Sequence, residues 1–145
     1  DKENNLCVIG TSKWVLVDIN TNRIVRLDEQ LIKDYEPEEK SVFDEELTKL
    51  KVPENFESEY LYKVARRDID LNGHMHNLYY LDLAYETLPQ EVYEKRPFDN
   101  VRIEYKKEIK LGDCICCEYA KKDDKNIVKI KSKDDKILHA VIELY

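Results

Sequence analysis

The sequence predicts an α+β domain preceded by a separate two-stranded element. Three observations predict it. One helix-length stretch carries apolar residues every three to four positions. Four strand-like segments follow it, separated by tight polar turns. A charged stretch containing Pro37 and Pro53 cuts the first strands off from the rest.

Cys7 to Asp18 is rich in Val, Ile and Trp14 and reads as a strand. Asn20-Thr21-Asn22 is a polar turn, and Arg23 to Leu27 returns as a second strand. Two strands alone are marginal in water, so this hairpin needs a sheet to join. Residues 28–56 read as a linker, with short helical stretches at Glu29–Lys33 and Phe43–Leu50, the second capped by Ser41. Residues 57–145 read as the main domain. Tyr60 to Arg67 is its first strand. From Asn77 to Leu88 the apolar groups Leu78, Leu81, Ala84, Tyr85 and Leu88 keep a helical rhythm, widened by Tyr79, Tyr80 and Leu83. A helix so widely apolar belongs in the middle of a domain, with Asn77 as its cap and Pro89 as its stop. Val101 to Lys110 alternates apolar and charged residues, a strand with one buried face. Gly112-Asp113 breaks the run before the strand Cys114–Ala120. Asp123 to Asn126 and Asp134-Asp135 are the turns around Ile127–Ser132 and Ile137–Tyr145, which completes an antiparallel meander.

The 145 residues are 42% hydrophobic and 38% charged, the balance of a folded globular chain. No apolar run is long enough to span a membrane, and no signal segment opens the chain. It begins at Asp1 rather than Met, which points to a fragment or a processed product. The formal charge of −7 argues against nucleic acid as the main partner. Cys7, Cys114, Cys116 and Cys117 lack metal-site spacing, and neighbouring strand residues face opposite ways, so free thiols in a reducing cytoplasmic setting are expected.

The densest polar chemistry lies between the first domain strand and the helix: Asp68, Asp70, Asn72, His74, His76 and Asn77. Loops between rigid elements present catalytic side chains well, and histidine exchanges protons near neutral pH. Such residues also build ordinary turns and caps, so both readings stand on composition alone. A two-histidine metal site at His74 and His76 lacks an obvious third ligand.

The wording of the segment narrows the choice. Arg67-Asp68-Ile69-Asp70-Leu71-Asn72-Gly73-His74-Met75-His76-Asn77, with Tyr80 following, resembles the D-x-D-x-N-x-H-V-N-N-x-x-Y signature of acyl–acyl carrier protein thioesterases. Gly10 to Leu16 with Thr21-Asn22-Arg23 resembles the closing hairpin of that family's first domain, and Glu104 to Glu108 its second-domain "EYRRE" strand. The resemblance implies two hot-dog domains: residues 1–27 would close a first one that is mostly absent, and 57–145 would form the C-terminal one. It implies a catalytic network of Asp70, Asn72, His74 and Glu108, converging on one cavity and working without cofactor or metal. Water would attack the thioester, Asn72 would donate to the oxyanion, and Glu108, Asp70 and His74 would orient and move protons. Plant members carry a Cys after the matching Glu, where this chain has Ile109, which favours water as nucleophile. The family's first Asn after the His-Val step is His76 here.

The implied partner is an acyl carrier protein bearing its acyl chain on a phosphopantetheine arm, with a first hot-dog domain or a second copy completing the fold. Arg66, Arg67, Lys106 and Lys107 flank the site in sequence and would offer that acidic partner a basic landing area, or they are ordinary exposed charge. Asp70-x-x-Gly73-His74 also resembles hot-dog acyl-CoA thioesterases, and a non-catalytic acyl-binding module is the third reading.

Overall fold

A computed structural model describes residues 1–21, 23–38 and 41–145. Asn22, placed by the sequence in the hairpin turn, and Glu39 and Lys40 of the expected linker lie outside the described residues. The chain divides into two units, Asp1–Thr48 and Lys49–Tyr145.

In the first unit, β1 (Leu16–Asp18) pairs antiparallel with β2 (Arg23–Val25). The turn is built by Asp18, whose Oδ1 accepts from the Asn20 and Thr21 backbone N–H groups at 2.9 and 2.7 Å. The regular strands are shorter than the apolar runs suggest. Trp14 and Val8 lie outside them, 83% and 87% exposed, and no described residue of 1–48 is buried. Helix α1 (Glu29–Asp34) forms where expected, with the Asp28 carboxylate accepting from Leu31 N–H. The helix expected at 43–50 does not form. The Ser41 hydroxyl donates to the Phe43 carbonyl at 2.6 Å, a local bond that competes with a helical start.

The second unit is a five-stranded antiparallel sheet around one helix, the hot-dog arrangement. Its strands are β3 (Ser58–Lys63), β4 (Val101–Tyr105), β5 (Cys114–Lys122), β6 (Lys125–Ser132) and β7 (Leu138–Leu144). Their order is β3-β5-β6-β7-β4, so the strands before and just after the helix form the two edges. The β5–β6 turn is tighter than expected: Lys122 pairs with Lys125, leaving only Asp123 and Asp124, and Asp123 takes a positive φ.

Helix α2 (Asn77–Thr87) lies against the sheet, followed by the short α3 (Gln90–Tyr93). Tyr80, Leu83, Ala84 and Leu88 join Ile115, Tyr119, Val128, Ile130, Ile142 and Leu144 in the core. The buried stripe is therefore turned from the expected one. Ala84 and Leu88 are buried, Leu81 and Tyr85 only half so, and Leu78 is 67% exposed. The cap is His76 rather than Asn77: its Nδ1 accepts from Leu78 N–H at 3.2 Å, so its proton sits on Nε2.

Alternation sends Cys116, Ala120, Ile127 and Val141 to the sheet's other face, yet all four are buried. The segment before β3 accounts for this. Leu50 N–H donates to Glu104, Lys129 sits over the Phe56 ring at 4.3 Å, and Glu57 N–H donates to the Tyr119 carbonyl. Residues 50–57 thus cross the outer face from β4 to β5. No helix among the described residues is long and apolar enough to cross a membrane.

Truncating the core should cost far more than truncating the expected stripe. Ile142→Ala removes a fully buried side chain and should destabilise by about 2–5 kcal/mol in urea unfolding. Leu78→Ala should stay within about 0.5 kcal/mol of the parent protein.

Candidate active site

Between β3 and α2 the chain must turn back without leaving polar groups unpaired. Asp68 does this work in the one-turn 3₁₀ helix Arg66–Asp68. Its carboxylate is 1% exposed and accepts from the Tyr62 hydroxyl and the Ala65 N–H, both at 2.7 Å. Its carbonyl accepts from His76 N–H at 2.8 Å, which closes the loop onto the helix cap. A buried carboxylate is tolerable only when so paired. The bond to Asp68 and burial raise the Tyr62 pKa.

Residues 69–75 form a tight turn inside that frame, bridged from Ile69 to Met75. Asp70 N–H donates to the His74 carbonyl at 2.8 Å and Gly73 N–H to the Asp70 carbonyl at 3.1 Å. Gly73 takes φ +78°, a conformation that glycine adopts without strain. Asp70 Oδ1 accepts the N–H groups of Asn72 and His74 at 2.8 and 3.2 Å. The His74 N–H, followed by the Asn72 N–H and amide, holds the Asp70 carboxyl below the usual carboxylate range. Asp70 is thus spent on the turn that presents Asn72 and His74, both exposed.

Glu108 reaches the same region by a departure from the sheet. The expected strand to Lys110 stops at Tyr105, because the N–H groups of Lys106 and Lys107 both turn onto the His139 carbonyl. The chain then runs beside the loop: Met75 N–H donates to the Ile109 carbonyl at 2.8 Å, and His74 bridges Lys110. Ile109 and Met75 point inward, 0% and 3% exposed, so their neighbours His74, Glu108 and Lys110 face the other way. The Glu108 carboxyl is held below its ordinary range by its own backbone N–H first, then by Lys107 and Lys110, whose ammonium groups lie 3.2 and 3.9 Å away. Burial pushes the phenol of nearby Tyr80 up to about 12.

The three groups expected at a common cavity do not line the main cleft of this unit. That cleft, about 870 Å³, is lined by Tyr60, Tyr62, Tyr79, Tyr85 and Tyr93 among others, with Met75 in its wall. Asn72 and His74 are exposed and Glu108 is half-buried, and none of the three lines it. Of the four basic residues, Arg67 pairs with Asp68, Lys106 with Glu104 and Lys107 with Glu108, whereas Arg66 has no ion pair among the described residues. Tyr62, Tyr80, Lys110 and His139 were missed as contributors, and only Tyr80 carried a signal, as the tyrosine closing the motif.

Cys116 and Cys117 are poor nucleophiles: burial raises Cys116 and pushes Cys117 up to about 12. Donor atoms of Glu59, Cys116 and Glu118 lie within 4.8 Å of one another on the outer sheet face. Glu118 already binds the ammonium groups of Lys129 and Lys131 at 2.5 and 2.7 Å, so this set is committed to cations of the chain itself.

The family described as the acyl-ACP (acyl carrier protein) thioesterase C-terminal domain matches residues 51–143. The chain is 30% identical over 121 residues to oleoyl-acyl carrier protein thioesterase 2, chloroplastic, of Arabidopsis thaliana, covering 74% of this chain and 33% of the relative. An acyl-ACP thioesterase from Bacteroides thetaiotaomicron superposes with a TM-score of 0.72 at 21% identity, and the 12:0-ACP thioesterase from Umbellularia californica with 0.75 at 16%. Each covers 88% of this chain and 51% of the solved one. The chain therefore spans about a third of that curated relative and half of the solved structures.

Gly73→Ala should report on the turn in isolation, because a Cβ there meets nothing within 4 Å while the positive φ stays unfavourable. The expected cost is about 1–2 kcal/mol in thermal unfolding. An unchanged midpoint would show that the turn tolerates another backbone path.

Proposed function

The chain belongs to the acyl-ACP thioesterase family, carrying its C-terminal domain, and from that premise we propose that it supplies the catalytic half of an enzyme releasing free fatty acids from acyl carrier protein. The observation that carries the reading is the pairing of Met75 with Ile109, which lays the Glu108 segment alongside the loop of Asn72 and His74.

In this reading water adds to the thioester carbonyl, the C–S bond breaks, and the thiolate leaves with a proton. His74 takes the proton from water and returns it to the sulfur. Asn72 donates its amide N–H to the oxyanion. Glu108, kept anionic by its own N–H and two lysines, orients the imidazole or water and stabilises the imidazolium. Asp70 holds the turn. Ile109 supports water as the nucleophile, since it fills the core where plant relatives place a thiol.

The carrier-protein reading has support in Arg66 and Arg67, which stay exposed next to the loop in a chain of net charge −7. The exposed apolar residues of the β1–β2 hairpin, Val17 and Ile24 among them, support its belonging to the sheet of a first hot-dog domain. Cytoplasmic placement belongs to the same reading and rests on four free thiols.

Assaying the full-length protein on acyl-ACP and acyl-CoA thioesters tests this directly. Faster turnover of the CoA esters would transfer the assignment to acyl-CoA thioesterases, and tight acyl binding without turnover would make the domain a binding module. His74→Ala and Glu108→Ala should each lower kcat by about 10²-fold or more without changing the unfolding midpoint. Serine at Cys114, Cys116 and Cys117 should leave most activity.

The pH profile has a determined sign. Lys107 and Lys110 stabilise the Glu108 anion and depress its pKa, so removing them moves that pKa back up. Lys107→Ala with Lys110→Ala should therefore shift the acid limb of kcat/KM to higher pH. A limb that stays put would separate Glu108 from the rate-controlling ionisation.

A further inference from the structure

We propose that His139 is a positioning residue for Glu108, acting through the Lys107–Glu108 peptide; this rests on the reading of Glu108 above. His139 lies near the start of β7, 3% exposed and outside every motif of the sequence. Its carbonyl accepts the N–H groups of Lys106 and Lys107 at 2.8 and 3.3 Å. Its ring Nδ1 lies 3.0 Å from the Lys107 carbonyl oxygen. A carbonyl only accepts, so Nδ1 carries the proton and donates. Both backbone polar groups of Lys107 are thus tied to one residue of a central hydrogen-bonded strand.

The consequence reaches Glu108 through the geometry of one peptide unit. The Lys107 carbonyl and the Glu108 N–H belong to the same planar trans amide and point in opposite directions. Fixing the carbonyl on His139 fixes the direction of the N–H. That N–H belongs to Glu108 itself, so the orientation of the peptide sets where its carboxylate stands. On the far side, Ile109 is held by Met75 through its carbonyl. Glu108 therefore sits on a short bridge with both abutments clamped, and His139 is the abutment on the sheet.

Backbone bonds to the His139 carbonyl survive any side-chain substitution, so variants isolate the ring's contribution. The asparagine amide can occupy the place of Nδ1–H, whereas the longer glutamine places its donor nearer Nε2 and phenylalanine has none. In the full-length protein, His139→Gln and His139→Phe should lower kcat for acyl-ACP by about 10²-fold at unchanged KM, the scale of a misplacement near 1 Å. His139→Asn should recover most of that loss. In a Glu108→Gln background, His139→Phe should cost nothing further, because the two act as one unit. Should His139→Phe fail to fold, the comparison of His139→Asn with His139→Gln decides alone. Equal losses from His139→Phe in both backgrounds, or equal kcat in the Asn and Gln variants, would overturn the proposal. Full activity of Glu108→Gln would remove the Glu108 reading and His139 with it. Loss there with full activity in the His139 variants would remove His139 alone.

Discussion

The hydrogen bond from Met75 to the Ile109 carbonyl joins two segments 34 positions apart, and the local chemistry depends on it. Both side chains point into the core, which removes them from water and sets the phase of the backbone on either side. Extended neighbours point to opposite faces, so burying Met75 and Ile109 turns His74, Glu108 and Lys110 outward together. Each fully buried apolar side chain contributes about 1.5–3 kcal/mol, more than a surface ion pair at about 0–1, so apolar packing rather than charge attraction holds the crossing. A polar residue at Ile109 would cost that burial and loosen the arrangement of charges above it.

The carboxylates of the loop have distinct tasks because their surroundings differ. Asp68 is buried and satisfied by Tyr62 and a backbone N–H, a framework role that needs a fixed charge in a dry place. Asp70 is spent on the N–H groups of its own turn. Glu108 keeps access to solvent and is flanked by two ammonium groups. Groups that lower a carboxyl pKa weaken it as a base, so the proposed mechanism gives Glu108 orientation and charge stabilisation and leaves proton transfer to the imidazole.

Around this crossing, the sheet and helix supply rigidity. The helix packs on one face, and residues 50–57 cross the other, so the central strands meet water on neither side. The β1–β2 hairpin is the opposite case: two short strands with Val17 and Ile24 in solvent bury too little to resemble a finished domain.

Much of this was legible in the amino-acid order. The strand-like runs of β5 to β7 between polar turns, the apolar rhythm of α2 and the motif from Asp68 to Tyr80 are local patterns, and local patterns survive in one dimension. The boundaries of β4 were not legible. Its alternation runs on to Lys110 in sequence, but the strand ends at Tyr105 because His139, distant in the chain, draws the backbone of Lys106 and Lys107 aside. The facing of α2 was not legible for a similar reason: so many of its positions are apolar that the sheet, rather than the helix's own pattern, selects Tyr80 and Leu83 over Leu78. Sequence by itself determined the main strands and the central helix of the second unit and which residues carry the motif. Only the tertiary structure decided which of them meet, because pairing across 34 positions depends on backbone groups that every residue shares and that no side-chain pattern records.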